Sequence, residues 1–386
     1  MASPFEALSA DRSLWGERMP RLAKARERAL ALIVDNVHVA GSDAPSEREY
    51  LGRVATVALE AFDHADAGRL RQALALLNRV IFMLTADGAA TKNVTLHLAD
   101  VAKSRSVALQ YQGKILALLG MSEEATAALE SAIREYPGNT EAYVDLGIVL
   151  GEHGQVSDGL ETVSKAILLD SKLALAHAAR GTLLTMAGSY HEAVQSFEYA
   201  LRLDPSSSEY FLDFPIALAN SARPDEALAA AHRSLSTYPD SIFARCALGI
   251  VLVQMRRPKE AEPVFREATV LSPTCAVAAA NLGGVLQELG RPAEAMESLA
   301  RALELDPENI GALINLAATL AQQERYAEAR ELLERATALS TLDPLVSLNQ
   351  ATLLYNEGQY EAALEAAEVA PTAVQNRRSA SVVLAG

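Results

Sequence analysis

Cysteine is nearly absent from this chain of 386 residues: there are two, Cys246 and Cys275. They lie 29 residues apart and form no CxxC pair. That argues against a disulfide framework and makes a reducing, cytoplasmic compartment the expectation. Aromatic residues are also few, at 5%. No uninterrupted apolar run approaches the roughly 18 residues of a membrane span, so no membrane contact is expected. No basic stretch followed by an apolar one, the pattern of a secretory leader, stands at the first residues. The histidines (His38, His64, His97, His153, His177, His191 and His232) form no HExxH and no close cluster with cysteine. Neither GxxxxGK[ST] nor a strand-flanked GxGxxG occurs. The expectation is therefore no catalytic residue, no metal and no cofactor: a chain that is not an enzyme.

Positive charge is also in short supply. The net charge is -15, and it is unevenly placed. Residues 1–105 carry 14 basic and 13 acidic groups, while the remainder carries 20 basic against 36 acidic. Such a body repels phosphate backbones, so nucleic acid is not the expected partner. The run Arg21–Arg28 reads as a solvated helix face.

What is abundant is alanine and leucine, and they recur. Leucine stands at Leu116, Leu150, Leu184, Leu218, Leu252, Leu286, Leu320 and Leu354, at unbroken steps of 34 residues. Three residues before each is a small one, from Gly113 and Gly147 to Ala317 and Ala351, with Pro215 the exception. Nine after each leucine comes Ala or Gly, and seven further comes Ala or Ser. Prolines punctuate at Pro137, Pro205, Pro239, Pro273 and Pro307. Small residues on facing helices allow a close interaxial distance, and the leucine fills the space beside that contact. A glycine-centred turn such as Leu289–Pro292 ends the first helix of each unit, and proline ends the second. The Asp of each closing Leu-Asp-Pro suits a cap for the next helix. Pro215 predicts a kink or early start of its helix near Phe211–Pro215.

A 34-residue unit with Leu-Gly, then Ala-x3-Phe or Ala-x3-Leu, then Pro resembles the tetratricopeptide repeat, and Tyr190–Pro205 is a near match. The resemblance covers residues 106–377. It implies an all-α fold: a right-handed superhelical solenoid of about eight to nine antiparallel helix pairs, with an extra N-terminal helical region. Residues 1–45 are expected to hold helices, beginning at Ser3-Pro4 and covering Arg21 to about Val37, with Gly41–Pro45 as a loop. Residues 46–105 read as a divergent repeat plus an extra helical segment, with Ala73 and Leu77 in the Ala-x3-Phe positions. Residues 378–386 read as a short capping stub or tail.

The resemblance also implies that positions 2, 5, 6, 9, 12 and 13 of each first helix line a concave groove. Position 6 reads Asp145, Asp213, Asn281, Asn315 and Asn349, with Ala179 and Ala247 between. The three asparagines form a ladder whose amides can pair with the N–H and C=O groups of an extended peptide. The repeats of O-linked N-acetylglucosamine transferase are similar in this respect. Apolar positions expected in the groove include Ile216, Phe243, Ile250, Val277, Ile314 and Tyr355. Lys114 and Gln110 do not reproduce the clamp that a chaperone-tail subclass uses for a terminal carboxylate. The expected partner is a protein or peptide, and the expected function an adaptor or scaffold without chemistry. Two alternatives stand beside it: a non-catalytic subunit recruiting a substrate to a separate enzyme, and a scaffold self-assembling through its C-terminal repeat.

Overall fold

The computed structural model describes residues 45–66, 69–85, 98–205, 213–339 and 344–369. The helices expected before residue 45, and the stub at 378–386, lie outside the described residues. Every regular element among the described residues is an α-helix.

They fall into two compact units divided between Ala222 and Arg223. The first contains α1 (Pro45–Asp66), α2 (Leu70–Met83), α3 (Leu98–Leu118), α4 (Ser122–Glu135), α5 (Thr140–Glu152), α6 (Val156–Leu169), α7 (Ala174–Met186), α8 (Tyr190–Leu203) and α9 (Phe214–Asn220). The second contains α10 (Pro224–Thr237), α11 (Ile242–Gln254), α12 (Pro258–Leu271), α13 (Ala276–Glu288), α14 (Pro292–Leu305), α15 (Ile310–Gln322), α16 (Tyr326–Leu339), α17 (Pro344–Asn356) and α18 (Tyr360–Val369). In both units each helix packs on its neighbours in sequence. The odd-numbered helices from α3 to α9, and from α11 to α17, also touch one another directly. They form an inner layer, and the even-numbered helices form an outer one. This is the solenoid that the 34-residue period predicts.

The small residues do the work assigned to them. A Cβ on Gly159 of α6 would lie 2.6 Å from the carbonyl oxygen of Gly147 on α5, so the two backbones nearly touch. Ala125, Ala193, Ala227, Ala261, Ala295 and Ala329 stand at the same register in other repeats, each with 0% exposure. Beside them Leu129, Val163, Phe197, Phe265, Leu299 and Leu333 are all sealed, at 0–2%.

Each turn from inner to outer helix has one construction. The residues at 120, 154, 188, 222, 256, 290, 324 and 358 all have positive φ, between 58° and 79°. Five are glycine, but Ala222, Arg256 and Glu324 hold the same left-handed conformation. In seven of these turns the next residue's N–H donates back to the repeating leucine's carbonyl, as from Arg291 to Leu286 at 3.0 Å. This is the bonding of a Schellman closure.

Arginine follows the turn at Arg223, Arg257, Arg291 and Arg325, an unfavourable end of the helix dipole for a cation. Each is paired with a glutamate three residues on, Glu226, Glu260, Glu294 or Glu328. Arg291 also reaches Glu262 on α12 at 2.6 Å, and Arg266 reaches Glu294 on α14 at 3.1 Å. Neighbouring outer helices are thus clasped in both directions.

One expectation is corrected. The Asp of Leu305–Pro307 is not the cap of the next helix. Asp306 accepts from the N–H of Glu308 at 3.2 Å, and the cap is Asn309, whose Oδ1 accepts from the N–H of Ala312 at 2.9 Å. Ser241, Asn139 and even the Cys275 thiol cap at the equivalent place. In the fourth repeat α9 starts at Phe214, with Pro215 in its first turn. Proline is tolerated there because that turn has no helical partner for an N–H. The helix has 7 residues where α5, α7, α11, α13, α15 and α17 have 13 each. Of the window Phe211–Pro215, where a kink or early start was expected, residues 211 and 212 lie outside the described residues.

Two outcomes follow. Replacing Ala222, Arg256 or Glu324 by glycine relieves left-handed backbone strain and is expected to raise stability by about 0.5–1 kcal/mol each, whereas Gly290→Ala lowers it by about 1 kcal/mol. Urea unfolding measures both. Gly159→Ala gains about 1 kcal/mol of helix propensity but forces α5 and α6 apart, for an expected net loss of about 1–2 kcal/mol. A neutral or stabilising result in thermal unfolding would show that the contact is slack.

Candidate functional site

In the first unit the groove positions are filled by an internal polar network. Asp145 on α5 is fully buried. Its Oδ2 accepts from Gln110 Nε2 at 2.6 Å and lies 3.2 Å from Lys114 Nζ, both on α3. Asn139 Nδ2 donates to Gln110 Oε1 at 3.2 Å and to Ser106 Oγ at 3.0 Å, and Ser106 in turn donates to the Ala132 carbonyl. Burial pushes the Asp145 carboxyl above the ordinary carboxylate range, against the pull of the Lys114 ammonium and the Gln110 amide. Asp213, at the start of α9, is 4% exposed and accepts from Thr182 Oγ1 on α7 at 2.9 Å. Both aspartates link adjacent inner helices and are closed to a ligand, unlike the expectation from their register.

The apolar candidates also move into the core. Ile216, Phe243, Ile250, Val277 and Ile314 are exposed by 0–1%. Neighbouring inner helices approach closely enough to swallow these side chains, so they support the groove from beneath rather than meeting a partner. Tyr355 remains open, at 62%, and its ring meets that of Tyr360 edge-on at 5.3 Å.

The asparagine register behaves differently. Asn281, Asn315 and Asn349 are each half-buried, on α13, α15 and α17 of the second unit. Asn281 Nδ2 donates to the Val277 carbonyl at 2.9 Å, which orients the amide and leaves its Oδ1 as an acceptor. The Asn315 amide is seated over Gly284 of α13, its Nδ2 3.2 Å from where a Cβ would stand there. Its side chain makes no hydrogen bond among the described residues. Gly284 thus opens the space in which one helix's amide overlies the next.

The Asp145–Lys114 pair was missed in sequence. Its signal was a basic residue and an acidic residue 31 positions apart, which brings them together on adjacent inner helices. Among the described residues no group of three or more His, Cys, Asp or Glu could hold a metal ion. Both cysteines are buried and neither is in a disulfide. No helix among these residues is long and apolar enough to cross a membrane.

Three family models, each described as a tetratricopeptide repeat, match residues 107–139, 144–208 together with 246–310, and 286–347, in all just over half of the sequence. The chain belongs to the tetratricopeptide-repeat proteins. No curated protein matches it. Among solved structures, the hetero-tetramer Cut9–Hcn1 of the APC/C is similar at 15% identity and a TM-score of 0.57, over 86% of this chain and 76% of that one. A tetratricopeptide repeat protein from Parabacteroides merdae ATCC 43184 is 16% identical, with a TM-score of 0.49 over 69% of this chain and 98% of its own. Yeast Tom70 is 16% identical, with a TM-score of 0.48 over 92% and 75%. At these identities the likeness is one of fold.

The buried pair yields a prediction. Lys114→Met leaves the Asp145 carboxylate without its cation and is expected to destabilise the fold by about 3–5 kcal/mol at pH 7. A carboxyl whose folded pKa lies above its unfolded value stabilises below about pH 3.8 and loses that contribution as pH rises. Removing Lys114 raises the folded value further, so the variant's deficit should be smaller at pH 4 than at pH 7. A deficit independent of pH would mean that Asp145 is not ionised beside Lys114.

Proposed function

We propose that this chain is a protein- or peptide-binding scaffold whose binding face is the inner surface of α13, α15 and α17. The family's general use as a non-catalytic interaction fold supports this reading. The observation that carries it is the ladder of Asn281, Asn315 and Asn349, one amide per repeat, half-open on adjacent helices, with the Asn315 amide unbonded among the described residues. An amide offers both a donor and an acceptor, which suits the backbone of a bound segment. Its bound partner would be a polypeptide held by main-chain contacts, either for its own sake or for delivery to a separate enzyme.

The last described helix favours a second reading, self-association through the C-terminal repeat. Leu364 on α18 is 63% exposed. Ala367 is half-buried, where its counterparts from Leu129 to Leu333 are sealed. Sedimentation over a concentration series tests it.

For the leading reading, peptides selected on the wild-type chain from a displayed random library are titrated against single and triple alanine variants. Each Asn→Ala change is expected to weaken binding by about 1–2 kcal/mol, the scale of a buried hydrogen bond, with little change in melting temperature. Unchanged affinity in the triple variant would remove the ladder from the binding face.

A further inference from the structure

Resting on the ladder reading, we infer that the segment held on α13, α15 and α17 is uncharged and lies in the polyproline II conformation, presenting a backbone carbonyl to the Asn315 amide. Three independent observations lead there.

The first is charge. These three helices, of 13 residues each, contain a single residue charged at neutral pH, Glu288, at the last position of α13. The outer helices beside them carry charges of both signs, with glutamate in excess, as in Pro292–Leu305 and Tyr326–Leu339. A charged segment laid on α13, α15 and α17 would lose hydration and find almost no counter-charge. Terminal carboxylates, phosphopeptides and basic motifs are all poorly served.

The second is spacing. Packed helices stand about 8–10 Å apart, which sets the step between successive asparagines. One turn of polyproline II is three residues at about 3.1 Å, or about 9.3 Å, and it returns the same face of the segment to each amide. A β-strand repeats its face every two residues, about 6.7 Å, so a three-residue step would present alternate faces. Polyproline II also leaves every carbonyl unbonded within the segment. The Asn315 Nδ2 group, poised over Gly284, is a donor with no hydrogen-bond partner among the described residues.

The third is the exposed tyrosine pair. Tyr355 and Tyr360 are both 62% open and meet edge-on. Tyr355 lies six residues from Asn349 on α17, about 9 Å along the axis and about a third of a turn round it, so it stands to one side of the amides, against Tyr360 of α18. Aromatic walls beside a donor row are how preformed, proline-bearing segments are held at small entropic cost.

The test uses the full chain and four fluorescein-labelled dodecapeptides, read by anisotropy: (Ser-Ala-Pro)4, (Ser-Ala-Gly)4, (Glu-Ala-Pro)4 and (Lys-Ala-Pro)4. The first is expected to bind at least tenfold tighter than each of the others. Asn315→Ala and Tyr355→Ala are each expected to weaken it about tenfold without altering the circular-dichroism melt, and Asn281→Ala in the same direction. Raising salt from 50 to 500 mM should change its affinity less than twofold. If (Ser-Ala-Gly)4 binds as well and remains sensitive to Asn315→Ala, the polyproline II inference is overturned and the ladder reading stands. A preference for either charged peptide overturns the inference of a neutral occupant. If no peptide shows binding that depends on Asn315, both the inference and the ladder reading fall.

Discussion

The close approach of inner and outer helices within each repeat is the constraint on which the rest depends. Where the Gly147 carbonyl lies 2.6 Å from the position of a Gly159 Cβ, no larger side chain fits without displacing a backbone. The same register holds alanine elsewhere, always buried. Fixing that contact fixes where the neighbouring leucine, valine or phenylalanine must lie, and so where the next helix can dock. The left-handed turn completes the geometry, since a short connection leaves only one way back. It recurs even where Ala222, Arg256 and Glu324 must adopt it against their preference. Tertiary packing therefore overrides local strain three times in eight turns.

Much of this was legible because a 34-residue period reports on packing directly. Each recurring small residue marks a contact, and eight copies leave no freedom in register. In the segment before them, Ala73 and Leu77 are buried. Polar positions were less legible. Asp306 and Asn309 are both good capping residues three apart, and only backbone geometry decides that Asn309 caps. Asp145 and Asp213 share a register with the asparagines yet are sealed by partners on the preceding inner helix, Lys114 and Thr182. Register gives a direction for a side chain. Exposure depends on what the adjacent helix carries, and that is a pairwise property spread over 31 residues of sequence. The same holds for Phe243 and Ile250, whose inward direction was readable and whose burial was not.

The two units use similar inner helices differently. In the first, α3 and α5 join through a buried ion pair and an amide chain, a costly arrangement that fixes register rather than adding much stability. In the second, α13, α15 and α17 join through alanine, glycine and aliphatic contacts and keep their amides at the surface. Polar side chains in the first unit are consumed by the fold, and in the second the three amides stay half-open on the inner layer.

The glutamate–arginine clasps of the outer helices have a consequence of a different kind. Because nearly all ionisable groups near α13, α15 and α17 sit on the outer layer, the surface that governs colloidal solubility is separate from the surface that would select a ligand. Outer-layer residues such as Glu297, Glu304 or Glu331 could drift in sequence, or be recharged by design, to suit a different solvent or crowding environment. The inner face would be untouched, and its choice of ligand could change in turn without making the particle sticky.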